Sequence, residues 1–218
     1  MKKSFITAAL VLAACAISYA EEPVPLHYQR ASLFETMIPD STSVVFLGNS
    51  LTHGCEWHEL LGMPNALNRG VNGDTTEDIA NRLGCITAGR PAKIFLLAGV
   101  NDVSHDLPAE KVAADVLALV DRIRHESPQT KLYLQSLLPI NNSFGRYSRM
   151  YGKEETIRQI NELLAMGAKK RGVTFINLYP RFCDKEGNLR SDLTNDGLHL
   201  LGRGYLIWKQ ALLPYLGD

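Results

Sequence analysis

Short unbroken apolar runs alternate along this chain with longer stretches in which apolar residues recur at helical spacing. Residues 43–47 read Ser-Val-Val-Phe-Leu and end against Gly48, which predicts a buried strand. Residues 56–61 predict a short helix stopped by Gly62, and residues 66–69 a brief second strand. Residues 75–83 predict a helix with Asp74 placed to cap it. The run Lys-Ile-Phe-Leu-Leu-Ala at 93–98 has the continuous apolar character of a central parallel strand. After Pro108, a helix over 109–126 would carry Val112, Val116, Leu119 and Ile123 on one face. Residues 131–137 form a fourth strand stopped by Pro139, and 154–170 an amphipathic helix ended by Gly172. A fifth strand at 173–178 and a final helix at 204–216 complete the series. Five strands alternating with five helices predict an α/β domain, a three-layer α/β/α sandwich around a five-stranded parallel sheet.

The first 20 residues stand outside this pattern. Lys2 and Lys3 precede an apolar run over 5–17, too short to span a bilayer comfortably, and the small residues Ser18 and Ala20 follow. This predicts a secretory signal peptide over 1–20, an N-terminal lead-in over 21–40 with a short helix near 31–37, and one domain over 41–218. A rival pattern, Leu12-Ala13-Ala14-Cys15, resembles a lipobox and would leave a lipid anchor at Cys15. Either route exports the protein, to the periplasm or beyond or as an anchored lipoprotein. Without Lys2 and Lys3, 21 basic residues face 23 acidic ones, a net of −2. No basic patch stands out, so nucleic acid and anionic membranes are poor partners. Cys55, Cys85 and Cys183 remain, an odd number that leaves at least one thiol unpaired within the chain.

Candidate chemistry collects at the strand ends, where α/β sheets place their sites. The first strand runs into Gly48-Asn49-Ser50-Leu51 and the second is followed by Asn72-Gly73-Asp74-Thr75. The third is followed by Gly99-Val100-Asn101-Asp102, and the loop before the last helix carries Asp196-Gly197-Leu198-His199. Ser50 becomes a nucleophile only when a base takes its proton, and His199 is the residue type suited to that near neutral pH. Asp196, three positions earlier, is the candidate to hold the imidazole in the correct tautomer.

In order and spacing, these four segments resemble the blocks of the SGNH or GDSL-like hydrolases, over about residues 43–216. The resemblance implies a flavodoxin-like sheet, a serine esterase without cofactor or metal, and the grouping of Ser50, His199 and Asp196. It assigns the oxyanion hole to the backbone N–H groups of Ser50 and Gly73 and the Asn101 side chain. Gly73 suits that position because a residue without Cβ admits close approach, although Gly70 is a rival. The stretch 68–76, Asn-Arg-Gly-Val-Asn-Gly-Asp-Thr-Thr, resembles members acting on acetylated sugars, sialate O-acetylesterases included. One position departs from the family: its common Gly-Asp-Ser is here Gly48-Asn49-Ser50, which keeps the shape and one acceptor but loses the charge.

Other features admit two readings. His53, Cys55, Glu56, His58 and Glu59 match no zinc spacing and predict a short helix lining the pocket. Trp57 among them either stacks on a sugar or packs in the core. The polar, aromatic stretch 141–151 predicts a loop over the site, with Arg146, Tyr147 and Tyr151 as candidate substrate contacts, or else a bland surface loop. The expected function is hydrolysis of short acyl esters, O-acetyl foremost, on a small-molecule or glycan substrate. A lipid-directed esterase, lysophospholipase or thioesterase is the alternative with the same site, and an inactive glycan-binding domain the alternative of another class. No dinucleotide or phosphate-loop motif follows any of the strands.

Overall fold

The structure, a computed structural model, describes residues 26–217; the expected signal peptide, Cys15 and the start of the lead-in lie outside the described residues. The chain runs α1 (Leu26–Thr36), β1 (Val44–Gly48), α2 (Ser50–His53), α3 (Trp57–Leu61), β2 (Ala66–Gly70), α4 (Thr76–Arg82) and α5 (Gly84–Thr87). It continues through β3 (Lys93–Leu97), α6 (Val100–Ser104), α7 (Ala109–Glu126), β4 (Lys131–Gln135), α8 (Glu154–Arg171), β5 (Thr174–Ile176), α9 (Tyr179–Phe182) and α10 (Gly202–Leu216). The lead-in helix thus starts earlier than its pattern predicts, and β4 and β5 stop short of the predicted ends.

The strands form one parallel sheet in the order β2-β1-β3-β4-β5. Its order reverses between β1 and β3, so the chain leaves these neighbours toward opposite faces and a crevice opens at their carboxyl ends. Alternate residues of each strand face opposite layers. Phe46, Phe95 and Tyr133 lie side by side across β1, β3 and β4, with ring centroids 5.1 and 4.6 Å apart. Trp57 of α3 stacks on Phe46 at 4.1 Å, and Trp208 of α10 meets Trp57 edge-on at 5.2 Å. On the other side α7 packs against α4 and α8, burying Val112, Val116, Leu119 and Ile123 as the periodicity predicts.

The structure decides one open reading and corrects one expectation. Trp57 is fully buried, its indole N–H donating to the Thr52 carbonyl at 2.9 Å, so it is a core residue with no face left for substrate. Asp74 does not cap α4. Thr75 does, in a reciprocal capping box with Asp78, because Asp74 is engaged by Arg82 at 2.7 Å in a buried ion pair. Cys55, Cys85 and Cys183 are all free thiols.

Candidate active site

Ser50 is the first residue of α2, two residues past the end of β1. Asn49 turns the chain there: its Oδ1 accepts the Leu51 N–H at 3.1 Å as the cap of this one-turn helix. This preserves the shape expected of the position without charge, while the Asn49 amide nitrogen, buried, has no hydrogen-bond partner among the described residues. The Ser50 Oγ lies 2.9 Å from His199 Nε2, across 149 residues of sequence.

Behind His199, its Nδ1 lies 2.8 Å from Asp196 Oδ2. The other carboxylate oxygen accepts the backbone N–H groups of Leu198 at 2.9 Å and His199 at 2.8 Å. Thr194 braces the turn by accepting the Asp196 and Gly197 N–H groups. Burial alone would raise the Asp196 pKa, but the Leu198 N–H and then the His199 contacts outweigh it and hold the carboxyl at about 2. Asp196 is therefore an anion at neutral pH, and an acceptor at that place favours the His199 tautomer with its proton on Nδ1. That tautomer leaves Nε2 free to accept from Ser50.

Gly73 and Asn101 line the same cavity as Ser50 and His199, which encloses about 730 Å³. Gly73 has φ +83°, a conformation that favours glycine, and open space where a Cβ would stand. Gly70, its rival, ends β2 beneath α2, where a Cβ would strike the His53 backbone, so its role is close packing. The Gly73 loop is locked from several sides. The Asn101 amide donates to the Asp74 carbonyl at 2.8 Å, Asp102 accepts from the Thr76 N–H and hydroxyl, and Arg82 ties Asp74 to the Gly48 carbonyl. One Asn101 N–H is thereby used in bracing and a second remains for the cavity. Donors held this rigidly can meet a developing oxyanion without reorganising.

The stretch 141–151 does lie over the site. Arg146 and Tyr147 line the cavity with Met150, Leu198, Leu200 and Tyr205, whereas exposed Tyr151 is not among its walls. The Tyr147 hydroxyl reaches Asp196 and His199 themselves. The segment around His53 contributes Gly54 to this cavity and pairs His53 Nδ1 with the Asn72 side chain at 2.7 Å. Sequence reasoning missed the Asp74–Arg82 pair, for which eight-residue spacing gives no signal. It also missed Thr194, which its place before an Asp-Gly turn could have flagged.

Ser50, His199 and Asp196 linked in series, with candidate donors at the mouth of an α/β/α crevice, form the arrangement that serine hydrolases use. The chain belongs to the GDSL-like Lipase/Acylhydrolase family, whose model matches residues 46–207. It is 33% identical over 210 residues to the platelet-activating factor acetylhydrolase IB subunit alpha1 of Rattus norvegicus, covering 88% of this chain and 87% of that one. Among solved structures it is similar to a GDSL-like lipase from Bacteroides thetaiotaomicron, with TM-score 0.71, 22% identity, and 86% and 95% of the two chains covered. It is also similar to an acetylxylan esterase from Geobacillus stearothermophilus, with TM-score 0.66, 18% identity, and 83% and 96% covered.

Proposed function

We propose that this chain removes short acyl groups, acetyl foremost, from a carbohydrate ester. Ser50 is the nucleophile, His199 its general base and Asp196 the orienting carboxylate. The Ser50 and Gly73 N–H groups and the Asn101 amide are the oxyanion donors. The observation that carries this reading is the 2.9 Å contact between Ser50 and His199, continued to ionised Asp196, at the wall of an open cavity. Ser50 Oγ attacks the ester carbonyl as its proton passes to His199 Nε2. The alcohol then leaves with that proton, and the acyl group stays on Ser50. Water attacks the acyl-enzyme by the same route and releases the acid.

A second hollow of about 290 Å³ supports a sugar as the alcohol portion. Its walls are Arg30, His53, Gly54, Glu56 and Asn72, of which Gly54 and Asn72 are shared with the larger cavity. The Arg30 guanidinium stands there beside the Glu56 carboxylate and the polar side chains of His53 and Asn72, with no large apolar side chain, which suits hydroxyl groups better than an alkyl chain. The acetylxylan esterase likeness points the same way. The signal-like residues 1–20 fit a substrate met outside the cytoplasm. A lipid-directed reading is favoured instead by the platelet-activating factor acetylhydrolase relative and by Leu198, Leu200 and Met150 in the cavity wall.

Hydrolysis of 4-nitrophenyl acetate, butyrate and octanoate and of an acetylated xylo-oligosaccharide, beside Ser50→Ala, separates these readings. The proposal expects Ser50-dependent turnover of acetate above octanoate, and release of acetate from the sugar. Octanoate preference would move the assignment to lipid esters. No Ser50-dependent turnover of any ester would leave the inactive glycan-binding reading.

A further inference from the structure

We propose that Tyr147 is a positioning residue of the Ser50–His199–Asp196 array, its hydroxyl holding carboxylate and imidazole in one arrangement. The proposal rests on the function assigned above and gives this side chain a role other than the substrate contact its sequence position suggests. The Tyr147 oxygen lies 3.2 Å from Asp196 Oδ2 and 3.0 Å from His199 Nδ1, which are themselves 2.8 Å apart. Three polar atoms thus close a triangle behind the imidazole.

Only one proton arrangement satisfies that triangle while Nε2 accepts from Ser50. The Nδ1 proton points between Asp196 Oδ2 and the Tyr147 oxygen, and the single hydroxyl proton of Tyr147 goes to Asp196 Oδ2. In the other tautomer Nδ1 would turn a lone pair toward the carboxylate. Burial and the Asp196 charge raise the Tyr147 pKa, which keeps the phenol a donor at working pH. The ring adds a second restraint: it meets the imidazole edge-on, with centroids 5.6 Å apart and planes at 66°, and so opposes rotation of His199.

The backbone carrying Tyr147 is anchored on both sides. At one end the Asn141 N–H donates to the Gly197 carbonyl at 2.8 Å, inside the turn that carries Asp196 and His199. The Asn141 amide also donates to the Leu189 carbonyl at 2.8 Å. At the other end Met150 is buried in the core. Between them the short turns Asn142–Phe144 and Ser148–Met150 present Tyr147 to the array. The loop over the site and the loop bearing the base are therefore one assembly, with Tyr147 closing it.

Tyr147→Phe tests the hydroxyl while keeping the ring. With 4-nitrophenyl acetate, kcat is expected to fall about tenfold, equivalent to about 1.4 kcal/mol, while KM stays within about twofold. The downfield proton resonance of His199 Nδ1, which needs no turnover, is expected to shift in the same variant. A raised KM with unchanged kcat would overturn the proposal in favour of a substrate contact, and an unmoved Nδ1 resonance would overturn it outright. If wild type shows no Ser50-dependent turnover, the proposed function fails, and the resonance alone still decides whether Tyr147 holds the imidazole.

Discussion

Asp196→Asn is the substitution whose outcome the geometry fixes most tightly. One carboxylate oxygen of Asp196 accepts two backbone N–H groups, from Leu198 at 2.9 Å and His199 at 2.8 Å. An amide NH2 in that place would oppose two donors, so the asparagine oxygen must take it. The NH2 is then forced toward His199 Nδ1, where Oδ2 now stands at 2.8 Å. It donates to Nδ1, the ring proton moves to Nε2, and the nitrogen facing Ser50 becomes a donor instead of a base. Restoring the productive tautomer sets donor against donor, at about 1–3 kcal/mol, and the imidazolium formed during attack loses a charge-assisted bond of about 1.5–3 kcal/mol. Together these predict a fall in kcat of roughly 10²–10⁴, approaching the ~10⁴ seen for the same change in serine-protease triads. The assay is steady-state hydrolysis of 4-nitrophenyl acetate near pH 7.5, with circular dichroism to show equal folding. A folded variant retaining kcat within tenfold of wild type would refute the reasoning.

The same carboxylate makes stability depend on pH. Its folded pKa of about 2 lies below the ordinary aspartate value, so its contribution is complete above about pH 4 and is lost as pH falls toward 2. Allowing for solvent screening of a partly exposed group, it is worth about 1–2 kcal/mol. Urea unfolding of wild type and Asp196→Asn should therefore differ by that amount at pH 6 and converge near pH 2; a gap independent of pH would count against it. Trp57→Ala removes a fully buried indole stacked on Phe46, which should cost about 3–5 kcal/mol and lower Tm by roughly 10 °C with KM unchanged. A raised KM at unchanged Tm would return Trp57 to the substrate. Asn101→Ala should lower kcat about 10²- to 10³-fold in the same ester assay, and a loss below about fivefold would remove Asn101 from the oxyanion hole.

Elements with a long apolar period were legible in the sequence, and so were the strand ends that carry Ser50, Gly73 and Asn101 and the loop before the last helix that carries His199. What escaped were features fixed by tertiary contact. The helix that begins at Ser50 has four residues, too few for any periodicity to register. Asp74 looks like a cap in isolation, but a buried arginine from the far end of α4 claims it. Trp57 could have been placed from its own helix, since Leu60 and Leu61 repeat its apolar face at i+3 and i+4, and both pack against the core. Nothing local could have tied the Tyr147 hydroxyl to residues 49 and 52 positions away. That link depends on how the stretch at 141–151 docks against the turn at 194–199.

The central claim is that Ser50, activated by His199, is the nucleophile. Reaction of the protein with a fluorophosphonate, followed by intact-mass and peptide mapping, tests it without knowledge of the natural substrate. The account predicts a single adduct on the peptide bearing Ser50, formed far more slowly in His199→Ala and absent in Ser50→Ala. An adduct on another residue, or ester turnover that survives Ser50→Ala, would contradict it.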